Sequence, residues 1–119
     1  MLLPGQWSAI VRMGIIVRGI ALTESIRHYA NRRLSTALGR YRQALQSVRM
    51  SLTDVNGPRG GVDKHCVIEV RLPALVPIVV RERDADLYVA IDRAADRVDR
   101  AVARRLARSR SYESGSLRR

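Results

Sequence analysis

The sequence predicts an α+β fold, a two-layer sandwich in which two helices lie on one face of a four-stranded sheet in the order β-α-β-β-β-α. Four short segments alternate apolar and polar residues, as half-buried strands do. Two longer segments repeat apolar residues at spacings of three and four, as amphipathic helices do. A sheet with one apolar face needs a covering layer, which the two helices supply.

The first strand and the first helix are predicted from a short alternation and a capped periodic segment. Residues 15–18 alternate apolar side chains between two faces, and Gly19 ends the strand. Thr23 is a good N-cap for a helix over residues 24–38, whose apolar residues recur with helical spacing. Gly39 is a natural terminator of that helix.

Three further strands follow, over residues 48–53, 66–72 and 78–83. The first two of these form a hairpin around the glycine-rich loop of residues 56–61. Pro77 stands just before the last strand, and because proline lacks a donor for the strand ladder, this strand is predicted to lie at an edge of the sheet.

The last helix is predicted to begin after Asp84 as its N-cap, with Asp86 in its first turn, and to end near Arg108. Residues 109–119 are rich in serine and arginine, so we predict a disordered basic tail. The predicted buried stripe of the helix is Leu87, Ile91, Ala94, Val98, Val102 and Leu106.

The length of 119 residues fits one domain, which we place at residues 13–108 after an N-terminal extension of residues 1–12. The beginning of the chain does not resemble a signal peptide, and no apolar run is long enough to span a bilayer. The single cysteine, Cys66, cannot form an internal disulfide, which fits a reducing compartment. We therefore expect a cytoplasmic protein that is a monomer when free.

Charge is the strongest compositional signal, because 22 basic residues against 11 acidic ones give a net charge of +11. Such an excess repels itself unless a polyanion neutralises it. Nucleic acid is the first candidate partner and an anionic membrane surface the second. The chain has only five aromatic residues, so recognition by stacking on single-stranded bases has little support from the composition.

Charges on the last helix are segregated by sign. On a helical wheel five arginines share an arc of roughly 80°, while Asp92, Asp96 and Asp99 share another flank. Like charges at a spacing of four destabilise a helix by a few tenths of a kcal/mol, and only Asp96 is placed to relieve them, as partner of Arg93 and Arg100. A solvated face without a partner is the alternative. We interpret the arc as a phosphate-binding ridge, Arg93, Arg97, Arg100, Arg104 and Arg108.

Two further sets of arginines could enlarge this surface. Arg33 and Arg40 on the first helix extend the ridge if the two helices lie side by side. Strand alternation places a second set on the open face of the sheet, away from the core: Arg18, Arg49, Arg71 and Arg81.

No catalytic, metal or cofactor site emerges from the sequence. Cys66 falls on the core face of its strand, whereas His65 points outward, so a structural cysteine is favoured over a nucleophile. His28 has no partners at metal-ligand spacing, and the loop of residues 56–61 lacks the ending of a phosphate-binding loop. We predict that the protein is not an enzyme and takes neither a cofactor nor a small-molecule substrate.

Two stretches resemble the ribosome hibernation-promoting factor family, which includes ribosome-associated inhibitor A. The first is Leu22-Thr23-Glu24-Ser25-Ile26-Arg27 running to Arg33-Leu34. The second, more specific one is Asp86-Leu87-Tyr88-Val89-Ala90-Ile91-Asp92, followed by Ala95-Asp96-Arg97. The resemblance covers about residues 13–108.

The resemblance implies a fold like that of double-stranded-RNA-binding domains and binding in the decoding channel of the small ribosomal subunit. Family members there overlap the sites of tRNA and messenger RNA and keep ribosomes idle under starvation or in stationary phase. The family's basic helix positions, which grip ribosomal RNA, correspond to Arg33, Arg97, Arg100 and Arg104 here. Because the sequence ends at Arg119, we expect no second domain, as in the short form of the family.

Two other functions remain open on the sequence. A general double-stranded-RNA-binding module acting away from the ribosome would have the same fold and charge. A membrane-surface protein would use the last helix as a basic amphipathic anchor, although its apolar face consists mostly of alanine and valine.

Overall fold

The computed structural model describes residues 12–55 and 62–117. In it, two helices pack on one face of a four-stranded mixed sheet. The predicted α+β class is confirmed. The elements in order are β1 (Arg12–Arg18), α1 (Glu24–Leu38), a short 3₁₀ helix (Gly39–Ala44), β2 (Ser47–Asp54), β3 (Lys64–Arg71), β4 (Ile78–Asp84) and α2 (Leu87–Leu117).

The strands lie in the order β1-β2-β3-β4. β1 runs parallel to β2, and the crossover between them is α1. β2 and β3 form the predicted antiparallel hairpin, with Leu52 opposite Cys66. β4 pairs with β3 alone and is the predicted edge strand, with Val80 opposite Ile68.

The core lies between the apolar face of the sheet and the two helices. Leu34 of α1, Met50 of β2, Ile68 of β3 and Ile91 of α2 are completely buried. The predicted stripe of α2 faces this core along its length, from Leu87 to the partly buried packing residue Leu106. The sheet therefore has one covered face and one open face.

The turn from β1 to α1 depends on a glycine. Gly19 has a φ of +70°, a conformation in which an L side chain is strained. A Cβ at this position would lie 2.6 Å from the backbone oxygen of Asp54, at the end of β2. Three residues into the following helix, the backbone N–H of Ile26 donates to Thr23 Oγ1 over 3.1 Å, which confirms Thr23 as the N-cap.

α1 ends at Leu38 with Gly39 as its C-cap, which confirms the predicted end of this helix. Gly39 has a φ of −58° and continues directly into the 3₁₀ helix. Nothing in residues 39–44 forbids right-handed backbone, and Tyr41 in this helix packs against the core. This continuation decides where Arg40 and Tyr41 lie.

Both ends of α2 differ from the prediction. The helix begins at Leu87, and Asp86 Oδ1 accepts the Tyr88 N–H, so Asp86 takes the capping role assigned to Asp84. Asp84 Oδ2 instead accepts the N–H of Asp86, before the helix. At the other end, residues 109–117 continue the helix to Leu117 where a disordered tail was predicted. That stretch contains no proline to interrupt the helix.

A charged cluster closes the base of the β2–β3 hairpin. Lys64, the only lysine of the chain, lies 3.0 Å from Asp63 Oδ1 and 3.2 Å from Asp54 Oδ2. Asp63 is completely buried, and its hydrogen bonds with Lys64 raise the pKa of that amine despite desolvation. The predicted loop at 56–61 and residues 1–11 of the predicted extension lie outside the described residues, whereas Arg12 belongs to β1.

Candidate nucleic-acid interface

The two charged flanks of α2 face different surroundings. We call the side with Asp92, Asp96 and Asp99 the acidic flank, because it is turned toward α1 and the 3₁₀ helix. We call the opposite side the arginine flank, which borders β4 and solvent. All five of its members are exposed, namely Arg93, Arg97, Arg100, Arg104 and Arg108.

The acidic flank is neutralised first by α1. Asp92 Oδ1 accepts hydrogen bonds from the Tyr29 hydroxyl at 2.5 Å and from Arg33 Nε at 2.8 Å. The same guanidinium reaches Asp96 at 3.0 Å, and its side chain is only 23% exposed. Desolvation opposes the charge on Arg33, yet its bonds to the two carboxylates outweigh this and raise its pKa. The bond to Asp92 likewise raises the pKa of Tyr29.

A second junction lies farther along the acidic flank. Asp99 Oδ1 accepts from Arg40 at 2.7 Å and from the Tyr41 hydroxyl at 2.8 Å. The Arg40 guanidinium also stands over the Tyr41 ring, 4.7 Å from its centroid. The expected side-by-side helices are therefore present, but Arg33 and Arg40 lie against the carboxylates of α2. The predicted pairing of Asp96 with Arg93 and Arg100 is wrong, because Asp96 pairs with Arg33 of α1 instead.

On the arginine flank, the two members nearest the start of α2 contact β4. Arg93 lies 3.2 Å from Asp84 Oδ1. Arg97 donates to the backbone oxygen of Arg81 at 2.8 Å and forms an ion pair with Glu82. These contacts occupy an exposed carbonyl of the edge strand, and they are open to solvent, so each ion pair contributes little to stability.

Arg100, Arg104 and Arg108 form the remaining part of the arginine flank. No side-chain hydrogen bond or ion pair joins their guanidiniums to another residue within the described parts of the chain. Arg100 and Arg104, with Arg97, line a groove of about 420 Å³ between α2 and β4. Three unpaired guanidiniums along two turns of one helix create a concentrated positive field that favours a row of phosphates.

The open sheet face carries the second predicted arginine set. Arg18, Arg49, Arg71 and Arg81 are exposed there, as predicted. Arg71 lies 3.3 Å from Glu69, which is also the cross-strand neighbour of Arg49. Ile16 and Val79, each 45% exposed, lie on the same face. The positive charge on this face is therefore partly offset by a carboxylate and shares the surface with apolar side chains.

Cys66 has the environment of a structural residue. Its side chain is completely buried, and burial raises the pKa of its thiol to about 12, with a smaller contribution from Glu82. Such a thiol is protonated and inaccessible at neutral pH. Among the described residues, no group of three or more His, Cys, Asp or Glu side chains is arranged to hold a metal, and no helix is long and apolar enough to cross a membrane.

Sequence reasoning missed a pocket between the start of α2 and the outer side of α1. Tyr29 and Tyr88 meet there edge to face, with ring centroids 4.8 Å apart and planes at 81°. The count of five aromatics suggested no stacking surface, yet the fold brings two of them together across 59 residues. The helical spacing of Tyr29 from Arg33 was the available signal, because it puts both on the side of α1 that faces α2.

Comparison with known proteins points in one direction. The profile of the family described as "Sigma 54 modulation protein / S30EA ribosomal protein" matches residues 14–110. The Protein Y N-terminal domain from Thermus thermophilus is similar to this chain at 34% sequence identity and a TM-score of 0.62. The match covers 76% of this chain and 93% of that domain.

A more distant structure shares the fold. A ribosomal subunit interface protein from Coxiella burnetii superposes with a TM-score of 0.66 at 14% identity, covering 80% of this chain and 97% of that one. Among curated protein sequences, none matches the chain significantly.

Proposed function

Since the chain belongs to the Sigma 54 modulation protein / S30EA ribosomal protein family, we propose that it is a ribosome-associated translation inhibitor. It binds ribosomal RNA of the small subunit through the arginine flank and occupies the space of tRNA and messenger RNA. The family description refers to a ribosomal protein, and the Coxiella structure with the same fold is a ribosomal subunit interface protein, so both support a ribosomal partner.

One observation carries the proposal. Arg100, Arg104 and Arg108 are exposed and unpaired among the described residues, whereas the acidic flank of the same helix is engaged by α1 and the 3₁₀ helix. A helix arranged only for its own stability would bring opposite charges together at spacings of three and four. The separation leaves a positive surface that an RNA backbone can neutralise.

The seven predicted arginines divide into three roles in this proposal. Arg100, Arg104 and Arg108 grip phosphates directly, each with two parallel hydrogen bonds. Arg93 and Arg97, whose own side chains are about half exposed, exchange their carboxylate partners on β4 for phosphates when RNA arrives. Arg33 and Arg40 hold α2 against α1 and so fix the direction in which the arginine flank points.

Co-sedimentation with purified small subunits tests the proposal. The wild-type chain should pellet with them at low salt and should inhibit translation in a cell-free system. Affinity should fall with salt at a log–log slope of about −2.7 if three phosphates are contacted and about −4.5 if five are, by the duplex relation. Absence from the pellet at low salt would refute ribosome binding.

A matched pair of variants locates the surface. Arg100→Glu combined with Arg104→Glu should reduce ribosome affinity at least 100-fold while the thermal unfolding midpoint stays close to that of the wild type. Arg27→Glu with Arg42→Glu changes the net charge equally, at exposed positions of α1 and the 3₁₀ helix, and should reduce affinity far less. Equal losses in both variants would show that net charge alone drives binding.

Competition separates this function from that of a general double-stranded-RNA-binding module. Excess RNA duplex should fail to displace the chain from small subunits if the ribosomal site is recognised. Displacement at equal affinity would favour the general module instead.

A further inference from the structure

The pocket at the start of α2 has the size and lining of a ligand site. It is a shallow depression, widely open to solvent, with a volume of about 420 Å³, and it is bordered by Glu24, Ser25, His28, Tyr29, Arg32 and Tyr88. Small-molecule sites in proteins fall at roughly 300–1,000 Å³ and combine apolar or aromatic walls with a few polar groups. This pocket fits that description, with two tyrosines among its walls.

The aromatic wall is held in place. The Tyr29 hydroxyl donates to Asp92 Oδ1, and the edge-to-face contact then positions Tyr88 against Tyr29. The backbone N–H of Tyr88 is fixed by Asp86 at 2.9 Å. Tyr88 is nevertheless 38% exposed, so part of its ring remains uncovered. A large aromatic surface that is rigid but uncovered can receive a flat ligand at low entropic cost.

The polar groups around the wall narrow the class of ligand. Arg32 and His28 provide donors for ring nitrogens, carbonyl oxygens or a phosphate, and the Glu24 carboxylate can accept from an exocyclic amine. Ser25 can do either. A flat heterocycle carrying both donors and acceptors, attached to an anionic backbone, matches this set. An unpaired nucleobase has these properties.

We infer that this pocket, lined by Tyr29 and Tyr88, binds an unpaired nucleobase of RNA by stacking on Tyr88. The inference rests on the proposed function, because the RNA whose phosphates lie along the arginine flank supplies the base. The chain then has two modes of RNA contact. The arginine flank holds the backbone without regard to sequence, and the tyrosine pocket selects a position where a base is free of pairing.

A short single-stranded RNA containing one 2-aminopurine tests the pocket with the full chain, because the fluorescence of this base is quenched by stacking. Wild-type protein and Tyr88→Phe should quench it. Tyr88→Ala should abolish the quenching and weaken binding of the RNA roughly 5- to 100-fold. Equal quenching by wild type and Tyr88→Ala would overturn the inference.

A second variant controls for the possibility that Tyr88→Ala acts by disturbing the fold. Ser25→Leu fills the pocket from the exposed side of α1 without altering either tyrosine, and it should also abolish quenching. Arg100→Glu is the contrasting control: it should weaken the RNA affinity, yet the fluorescence should be quenched fully once protein is saturating. Quenching that survives in Ser25→Leu counts against the pocket.

Ribosome co-sedimentation distinguishes the two proposals. If wild type and Tyr88→Ala pellet equally with small subunits and no quenching occurs, the nucleobase pocket is refuted and ribosome binding stands. If wild-type protein fails to pellet, ribosome binding is refuted, and the quenching alone decides whether the pocket takes a base.

Discussion

The two flanks of α2 carry closely spaced charges of opposite sign, yet only one of them is available to a partner. On the acidic flank, Asp92, Asp96 and Asp99 are all engaged by α1 and the 3₁₀ helix. On the arginine flank, Arg100 and Arg104 face a groove and solvent without a partner among the described residues. The difference comes from which neighbour the fold places beside each flank, and not from the helix itself.

Arginines that look alike in the sequence therefore have different roles in the structure. Arg33 is largely covered and holds two helices together, whereas Arg100 is exposed and holds nothing within the described fold. An arginine that is paired with carboxylates inside the fold contributes to stability, and an arginine that is unpaired and exposed contributes to binding. Experiments that separate stability from affinity therefore test the comparison directly.

The largest difference is expected between Arg33→Ala and Arg100→Ala. Arg33→Ala leaves the Asp92 carboxylate with only the Tyr29 hydroxyl among its recorded side-chain donors, and should lower the free energy of unfolding by about 1–2 kcal/mol. Arg100→Ala should change it by less than about 0.5 kcal/mol but weaken ribosome affinity roughly tenfold. Denaturant titration gives the first quantity and co-sedimentation the second.

Cys66 supplies an independent measure of the same contrast. Its thiol is buried with a pKa of about 12, so iodoacetamide reacts with it at neutral pH only when the fold opens. Alkylation should be faster in Arg33→Ala than in the wild type and unchanged in Arg100→Ala. Equal stability of the two variants would contradict the assignment of Arg33 to the contact between α1 and α2.

A smaller effect is expected from Glu82→Gln, which removes the carboxylate that pairs with Arg97. The freed guanidinium should raise RNA affinity about 2- to 5-fold, the range that an exposed ion pair allows. Glu69→Gln makes the same change of charge beside Arg71 on the open sheet face and is the matched control. A larger gain in RNA affinity from Glu69→Gln would indicate that RNA binds to the open sheet face and not to the arginine flank.

The smallest effect concerns pH, because the carboxylates of the acidic flank accept hydrogen bonds from two tyrosine hydroxyls, those of Tyr29 and Tyr41. Hydrogen bonding to Asp92 and burial raise the pKa of Tyr29, and burial with the bond to Asp99 raises that of Tyr41. A folded-state pKa above the unfolded value means that stability is complete below about pH 10 and is lost as pH rises further. Lys64 and Cys66, also raised, contribute in the same direction.

The expected outcome is a shallower alkaline loss of stability in the Tyr29→Phe, Tyr41→Phe double variant than in the wild type, measured by thermal unfolding between pH 9 and about pH 11. Cys66 and Lys64 titrate in both proteins, so the difference isolates the two tyrosines. Identical pH profiles would show that the bonds of these hydroxyls to Asp92 and Asp99 do not contribute to stability.

The fold followed from the sequence because its signals are local and agree with one another. Alternation in β2 and β3 and the periodic stripe of α2 each specify an element and the face it buries. The errors fell at element ends. α1 ends before Gly39 as predicted, but nothing in the sequence indicates the 3₁₀ helix that follows, and Asp84 and Asp86 are equally suitable caps on sequence alone.

The site could be predicted only in part, since a helical wheel shows which residues share a face but not what that face meets. Segregation of the arginines was visible in the sequence, whereas the capture of Asp96 by Arg33 depends on the packing of α1 beside α2. The pairing of Tyr29 with Tyr88 has the same origin. Contacts between residues about 60 positions apart are set by topology, which periodicity does not encode.

Gly19 illustrates how a surface position can be as demanding as the core. It is exposed, yet any side chain there would have to displace the backbone of Asp54, whose carboxylate holds Lys64 at the hairpin base. A saturation-mutagenesis map of this chain should therefore show an intolerant site among permissive solvent-facing neighbours, and natural variation among related sequences should be nearly absent at that codon.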